Sequence, residues 1–186
     1  MIILKKLTKN RLNETLPKIE KGIRKYCWIQ DKFLRYNVSK DQEFQTRYND
    51  FYKVRRNAIW RAYYYELLEM AKVQGITFTR ALHILRERTG RIEASFASKL
   101  VATIYTNKPV MDRFVLDNFG LRLPYQYTSN RESKTIQIYN QLCQEYEELM
   151  TLPIVDTVCA KFNQLYPWVN ISDLKKVDLM LWQIRD

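Results

Sequence analysis

Two residues of opposite charge, thirteen positions apart, are the first candidates for chemistry. Lys99 lies within the apolar run FASKLVATI, and Asp112 lies in the run PVMDRFV, just after Pro109. We expect Lys99 at the edge of a helix's apolar face, where partial burial lowers the pKa of an amine and makes it a nucleophile. A carboxylate that opens a helix is kept ionised by the free N–H groups and the dipole there. Such a pair could attack a sugar C1′ and stabilise the positive charge that develops.

Both residues also have a purely structural interpretation. Asp112 could serve as a helix N-cap, which contributes about 1 kcal/mol. Lys99 could lay its stem along the apolar surface and keep its ammonium group in water. The sequence leaves these alternatives open beside the catalytic one.

Other catalytic and metal-binding constellations have little support in the sequence. The one histidine, His83, cannot build a multi-histidine site, and its position off the apolar pattern predicts a surface side chain. The three cysteines, Cys27, Cys143 and Cys159, lack metal-ligand spacing and are predicted to be small core residues in a reducing compartment. We therefore predict no cofactor and no metal.

The strongest global feature is a net charge of +11. Residues 1–60 carry 15 Lys/Arg against 6 Asp/Glu, residues 61–140 carry 12 against 7, and residues 141–186 carry 4 against 7. Basic proteins concentrate polyanions at their surface and release the counterions of phosphates. This favours a nucleic-acid partner, DNA ahead of RNA, or an acidic protein, on the first two-thirds of the chain. A basic surface that serves only solubility is the alternative.

The stretch FQTRYNDFYKVRRN, residues 44–57, interleaves aromatic rings with basic side chains. Proteins that bind single strands use such mixtures for stacking and phosphate contact. Rings at helical spacing are also typical of a core stripe, and both can hold if the rings face inward and the arginines outward. Arg47, Arg55 and Arg56 are the phosphate ligands predicted here.

The sequence predicts a single all-α domain of about eight helices over residues 1–186, with about residues 1–10 loose. Four glycines and five prolines allow few sharp turns, and apolar residues recur at helical spacing. The helix over about 57–72 is predicted to be almost fully buried. The cluster Lys175, Lys176 and Asp178 is predicted to be a cap and a solvated helix face. With no secretory signal and no apolar run near 20 residues, we expect a cytoplasmic protein without a membrane span.

The region Thr77–Gly120 resembles the helix-hairpin-helix DNA glycosylase superfamily. FASKLVATI is similar to the start of the second hairpin helix, and PVMDRFV to the aspartate segment. The resemblance implies a DNA-binding hydrolase in which Lys99 forms a Schiff base with the sugar and Asp112 assists base excision. The glycine-x-glycine turn of that family corresponds to Ser95-Phe96-Ala97 here.

A second resemblance covers most of the chain. The segments RYNDFYKVRRNAIW, EASFASKL, PVMDRFVLDNFGL and KKVDLMLWQIR resemble a group of small bacterial proteins. That resemblance implies a bacterial protein but no activity.

Two functional hypotheses follow, besides a third, an enzyme that acts on a small anionic substrate, for which the sequence contains no glycine loop that would cradle a phosphate. In the first, the chain is a glycosylase-like DNA-binding enzyme with Lys99 and Asp112 as catalytic residues. In the second, which the missing glycines favour, it is a non-enzymatic module that binds nucleic acid or protein on the same scaffold. The predicted phosphate contacts are Arg47, Arg55, Arg56, Arg91, Ser95, Ser98 and Arg113. The oligomeric state is left open.

Overall fold

The computed structural model describes residues 2–184, and all regular secondary structure in that range is helical. This confirms the all-α prediction. The α-helices of the described range are α1 (Lys9–Thr15), α2 (Glu20–Arg35), α3 (Gln42–Tyr52), α4 (Ala58–Gln74), α5 (Phe78–Thr89), α6 (Ala94–Ile104), α7 (Arg113–Phe119), α8 (Arg131–Met150), α9 (Pro153–Leu165) and α10 (Asp173–Leu181). None of them is both long and apolar enough to cross a membrane.

The chain divides into two compact units. Unit 1 comprises Met1–Lys21 and Thr106–Asp186, and unit 2 comprises Gly22–Tyr105. A unit defined by contacts need not fold alone, so the single domain stays a prediction. The candidate site described below lies entirely within unit 2.

The first ten residues differ from the expectation of a loose segment. Ile2–Lys5 form a 3-10 turn, and Ile3 and Leu7 are buried in unit 1. Residue 1 lies outside the described part. The segment packs because its apolar side chains find partners around α7. A 3-10 turn at Leu16–Ile19, with Pro17 in it, separates α1 from α2.

Local capping interactions set several helix ends of unit 2. The Asp41 side chain accepts a hydrogen bond from the Phe44 N–H, and the Thr77 side chain accepts one from the Arg80 N–H. Asn57 caps the start of α4 in the same way. Gly90 ends α5 at φ 69°, a left-handed conformation that glycine adopts without steric cost. The ends of α4 and α5 are therefore fixed by nearby residues.

Unit 2 has an aromatic core with internal hydrogen bonds. The rings of residues 44–57 face inward and their arginines outward, as one interpretation of the stretch predicted; the buried rings are Phe44, Tyr48, Phe51 and Tyr52. The Tyr48 hydroxyl lies 2.8 Å from the Tyr64 hydroxyl and 3.1 Å from Oγ1 of Thr103. Burial raises the pKa of both tyrosines well above the ordinary value, so they stay neutral.

The prediction that α4 is almost fully buried is wrong. Ile59 is 69% exposed and Tyr63 is 40% exposed, and Met70 and Val73 continue the same helix face. The apolar residues of α4 are distributed around all sides of the helix, so their periodicity could not show which face is exposed. The exposed face begins beside the cleft described below.

In unit 1 the prediction of a solvated face for Lys175, Lys176 and Asp178 is also wrong, because all three are buried. Lys175 Nζ donates to Asp178 Oδ2 at 2.8 Å, and the Tyr146 hydroxyl donates to Asp178 Oδ1 at 2.8 Å. Lys176 Nζ donates to Asp173 Oδ1 at 2.7 Å. The charges are tolerated in the interior because each is paired and hydrogen-bonded.

Candidate functional site

A cleft of about 440 Å³ in unit 2 brings together three of the predicted phosphate ligands. Arg55, Arg56 and Arg91 line it, together with Arg88, which the sequence analysis did not select. The other lining residues are Asn57, Ile59, Trp60, Tyr63, Thr89 and Glu93. We call this feature the arginine cleft.

Three helix ends and two short connections build the arginine cleft. Arg55 and Arg56 lie between α3 and α4, the first two turns of α4 supply the apolar and aromatic wall, and Arg88 lies in the last turn of α5. Arg91 and Glu93 belong to the connection from α5 to α6. The N-cap residues of α4 and α6, Asn57 and Glu93, both line the cleft. The free N–H groups at these two helix starts add partial positive charge to that of the arginines.

The side chains in the arginine cleft carry an excess of positive charge. The lining contains four arginines and one glutamate, so its side chains have a net charge of +3. Arg55, Arg88 and Arg91 are exposed, and among the described residues none of them has a carboxylate partner. Three guanidinium groups are therefore available to an anion from solution.

Arg56 is the exception, because it is paired with the buried Glu93. Its Nη2 atom lies 2.9 Å from Oε1 and 2.8 Å from Oε2 of Glu93. Its guanidinium also lies over the rings of Trp60 and Phe96, at 5.8 and 5.2 Å from their centroids. Glu93 is the N-cap residue of α6 but makes no side-chain capping bond there. The ion pair thus ties the start of α6 to the segment before α4.

Two buried donors on the lining residues have no acceptor within residues 2–184. They are Nε of Arg56 and Nε1 of Trp60. Buried N–H groups are nearly always paired in folded proteins. An acceptor that reached this wall of the arginine cleft would satisfy donors that the described protein groups do not.

Tyr63 gives the arginine cleft an accessible ring. The guanidinium carbon of Arg88 lies 5.5 Å from the centroid of the Tyr63 ring. Ile59 lies one turn earlier on α4 and is the more exposed of the two. Trp60, in contrast, is buried and stacked on Tyr64, with ring centroids 5.1 Å apart and planes 16° apart. Tyr63 and Ile59 therefore form the accessible apolar wall.

The other predicted phosphate ligands lie outside the lining of the arginine cleft. Arg47 pairs with Glu43 at 2.6 Å and lies over the Trp28 ring at 4.1 Å. Arg113 belongs to unit 1, where it is exposed and lies 3.7 Å from Asp117.

The two predicted serines lie in the first turns of α6. The Ser98 side chain is fully buried, and its hydroxyl donates to the Ser95 carbonyl at 2.9 Å. Ser95 is half-buried. A phosphate contact by Ser98 would require this part of α6 to open.

Lys99 is more deeply buried than an edge position implies. It is 7% exposed, and its Nζ donates to the backbone carbonyl of Tyr52 at 2.8 Å. The same atom lies 5.1 Å from the centroid of the Phe96 ring. Its terminal nitrogen is therefore held inside unit 2, not in water as the snorkelling interpretation predicted, and Lys99 is not on the lining of the arginine cleft.

Asp112 is the N-cap of α7, as the structural interpretation predicted. Its side chain accepts a hydrogen bond from the Val115 N–H at 2.9 Å. The pKa of Tyr146 is raised first by burial, then by the charge of Asp178, and further by that of Asp112. Asp112 belongs to unit 1 and Lys99 to unit 2. Each residue thus has a structural function within its own unit.

The remaining candidate residues agree with a structural interpretation. His83 is exposed and lies 3.2 Å from Glu87, which confirms the predicted surface position. The three cysteines are free thiols and half-buried, so they are less deeply placed than core residues. Burial, with the charge of Asp173, raises the pKa of the Cys159 thiol to about 11. Within residues 2–184 no group of His, Cys, Asp or Glu is arranged to hold a metal ion.

Sequence reasoning missed Arg88, Tyr63 and Glu93. A weak signal existed for the first two: Arg88 belongs to a basic last turn, and Ile59 and Tyr63 are spaced by four residues on a helix too apolar to bury every face. For Glu93 the sequence contains no comparable signal, because its partner Arg56 is 37 residues away.

Comparison of the chain with models of known protein families, with curated proteins and with solved structures found no significant match.

Proposed function

We propose that the chain is a nucleic-acid-binding protein and that the arginine cleft is its binding site. The observation that carries the proposal is that Arg55, Arg88 and Arg91, none with a carboxylate partner among the described residues, line one cleft together with the exposed ring of Tyr63. Guanidinium groups suit phosphate oxygens because they donate in a planar fork.

The charge distribution supports the same partner. The arginine cleft lies in the first two-thirds of the chain, where basic residues most outnumber acidic ones. Phosphates that reach it would also meet the N-termini of α4 and α6, which favour anions. The carboxylates of an acidic protein could pair with the same arginines, but a carboxylate, unlike a nucleic-acid base, does not stack on an aromatic ring.

We propose a binding module without catalysis, ahead of a glycosylase-like enzyme. A Schiff base requires a neutral amine that can reach a sugar carbon. The Lys99 amine is buried, donates to the Tyr52 carbonyl, and is absent from the lining of the arginine cleft. The chemistry expected from the resemblance would therefore need a rearrangement around α6.

Binding of a fluorescein-labelled oligonucleotide, followed by anisotropy, tests the proposal. The test variant is Arg88→Ala/Arg91→Ala. The matched control is Arg80→Ala/Arg122→Ala, which removes two exposed arginines outside the arginine cleft and leaves the same net charge.

We expect the test variant to bind roughly tenfold more weakly or worse, since hydrogen bonds to charged groups contribute about 1.5–3 kcal/mol when fully formed. The control should stay within about twofold of the wild type, which corresponds to ~0.4 kcal/mol. Equal losses in the two variants would show that net charge alone drives binding. No binding of any oligonucleotide at low salt would remove the proposal.

A further inference from the structure

We infer that the arginine cleft takes a single strand, with one unpaired base lying on the Tyr63 ring and the neighbouring phosphates on Arg88 and Arg91. This inference rests on the proposed function and specifies the form of nucleic acid. It follows from what the arginine cleft offers besides charge.

The first argument is the exposure of Tyr63. Phosphate contact alone requires no ring, yet the Tyr63 ring lines the arginine cleft and remains accessible. Base stacking on aromatic side chains is a main source of affinity for single strands, and it tolerates any sequence. Ile59, on the preceding turn of α4, extends the apolar wall along which a base would lie.

The second argument is the position of Arg88 against the same ring. Its guanidinium carbon lies 5.5 Å from the ring centroid. A base stacked on the Tyr63 ring would therefore have a cation close to it. In a strand, bases and phosphates alternate, so a ring and arginines in one cleft match that alternation.

Single strands and duplexes differ in whether the faces of a base are accessible to the Tyr63 ring. In a duplex the faces of a base are covered by its neighbours, so an aromatic ring can stack only on a base that has left the stack. A volume of about 440 Å³ lies in the range of small-ligand pockets. The arginine cleft can therefore hold a nucleotide, whereas a duplex would engage only its rim with backbone phosphates.

Trp60 does not compete for the base. Its ring is stacked on Tyr64 and lies 4.7 Å from the centroid of Phe96, so its faces are occupied by the core. Of the two lining rings, Tyr63 is the exposed one, and the loss of its ring should remove the stacking contribution.

Three labelled probes test the inference: a twelve-residue oligothymidylate, a strand of the same length with abasic tetrahydrofuran residues, and a mixed-sequence duplex. The abasic strand has the phosphates but no bases. The variants are Tyr63→Ala, which removes the ring, and Tyr63→Phe, which keeps it. Binding of the abasic strand serves as the folding control for each variant.

The wild type should bind oligothymidylate at least about fivefold more tightly than the abasic strand, and more tightly than the duplex. Tyr63→Ala should still bind the abasic strand but lose that preference, so that its affinities for the two strands become equal, and Tyr63→Phe should retain the preference. Equal affinity of the wild type for both strands, or tighter binding of the duplex, would overturn the inference and leave the proposed function intact. The proposed function itself fails if none of the three probes binds at low salt, or if all three bind independently of Arg88 and Arg91.

Discussion

The Arg56 Nη2 atom lies 2.9 and 2.8 Å from the two carboxylate oxygens of Glu93. Glu93 is buried, and the Arg56 side chain is 32% exposed. The pair therefore has two consequences. It fixes the start of α6 against the segment before α4, and it neutralises one of the four positive charges of the arginine cleft.

The first prediction concerns that charge. Glu93→Gln keeps the size of the side chain and one acceptor oxygen but releases the charge of Arg56, which raises the net charge of the arginine cleft side chains from +3 to +4. We expect a several-fold gain in affinity for an oligonucleotide, measured by anisotropy at low salt, with a loss of about 1 kcal/mol in stability. Glu87→Gln, outside the lining, is the control and should leave affinity unchanged. Weaker binding by Glu93→Gln would contradict the assignment of Arg56 to the binding surface.

The second prediction concerns Lys99. Borohydride treatment of the protein on a duplex with an abasic site should trap no covalent adduct through Lys99, because its amine is buried and hydrogen-bonded. The wild type, Lys99→Arg and the surface control Lys134→Arg should behave alike. An adduct that forms with the wild type and Lys134→Arg, but is lost in Lys99→Arg, would establish the Schiff-base chemistry instead. Asp112→Asn run beside them would then show whether the aspartate assists.

The third prediction concerns the buried pair Lys175–Asp178. Lys175→Met leaves a buried carboxylate that has lost its positive partner and still accepts a hydrogen bond from the Tyr146 hydroxyl, and we expect a loss of about 3–5 kcal/mol in the free energy of unfolding. The double variant Lys175→Met/Asp178→Asn should recover part of that loss, because the uncompensated charge is gone. Urea unfolding of the two single variants and the double variant measures the coupling. Strictly additive losses would contradict a direct ion pair.

The fourth prediction concerns pH. The hydrogen bond from Lys176 holds the pKa of Asp173 below its ordinary value, against a smaller opposing effect of burial. A carboxyl with a depressed folded-state pKa stabilises the fold above its unfolded pKa, about 3.9 for aspartate, and this contribution is lost as the pH falls through the folded-state pKa. The Asp173 side chain is more than half exposed, so the contribution is at most about 1 kcal/mol.

Urea unfolding at several pH values checks this. Asp173→Asn should be less stable than the wild type at neutral pH, and the difference should shrink below about pH 4. In a Lys176→Met background the difference should depend much less on pH. A gap between wild type and Asp173→Asn that stays constant down to pH 2 would contradict the assignment.

The sequence predicted local features of the fold well. Asp41, Asn57, Thr77 and Ser172 are residue types that favour the N-cap position, and each caps a helix in the structure, because a cap acts on N–H groups two or three residues away. For Asp112, of the two interpretations the sequence left open, the structural one is observed. These features depend on residues that are close in sequence, so they can be predicted from the sequence.

The errors arose where a residue's partner is distant in sequence. Asp178 was predicted to be solvated, yet Tyr146, 32 residues earlier, supplies the hydrogen bond that allows its burial. Three of the four arginines of the cleft were predicted from composition. Arg88 and Tyr63 were not predicted as site residues, because their contact depends on how the end of α5 packs beside the start of α4.

The most direct test of the account is the salt dependence of oligonucleotide binding for the wild type and Arg88→Ala/Arg91→Ala, with Arg80→Ala/Arg122→Ala as control. For single strands, log K falls against log salt with a slope of about −0.7 per phosphate contact. Loss of two contacts should make the slope of the cleft variant shallower by about 1.4, while the control keeps the wild-type slope. An unchanged slope in the cleft variant, or an equal change in the control, would contradict phosphate binding by the arginine cleft.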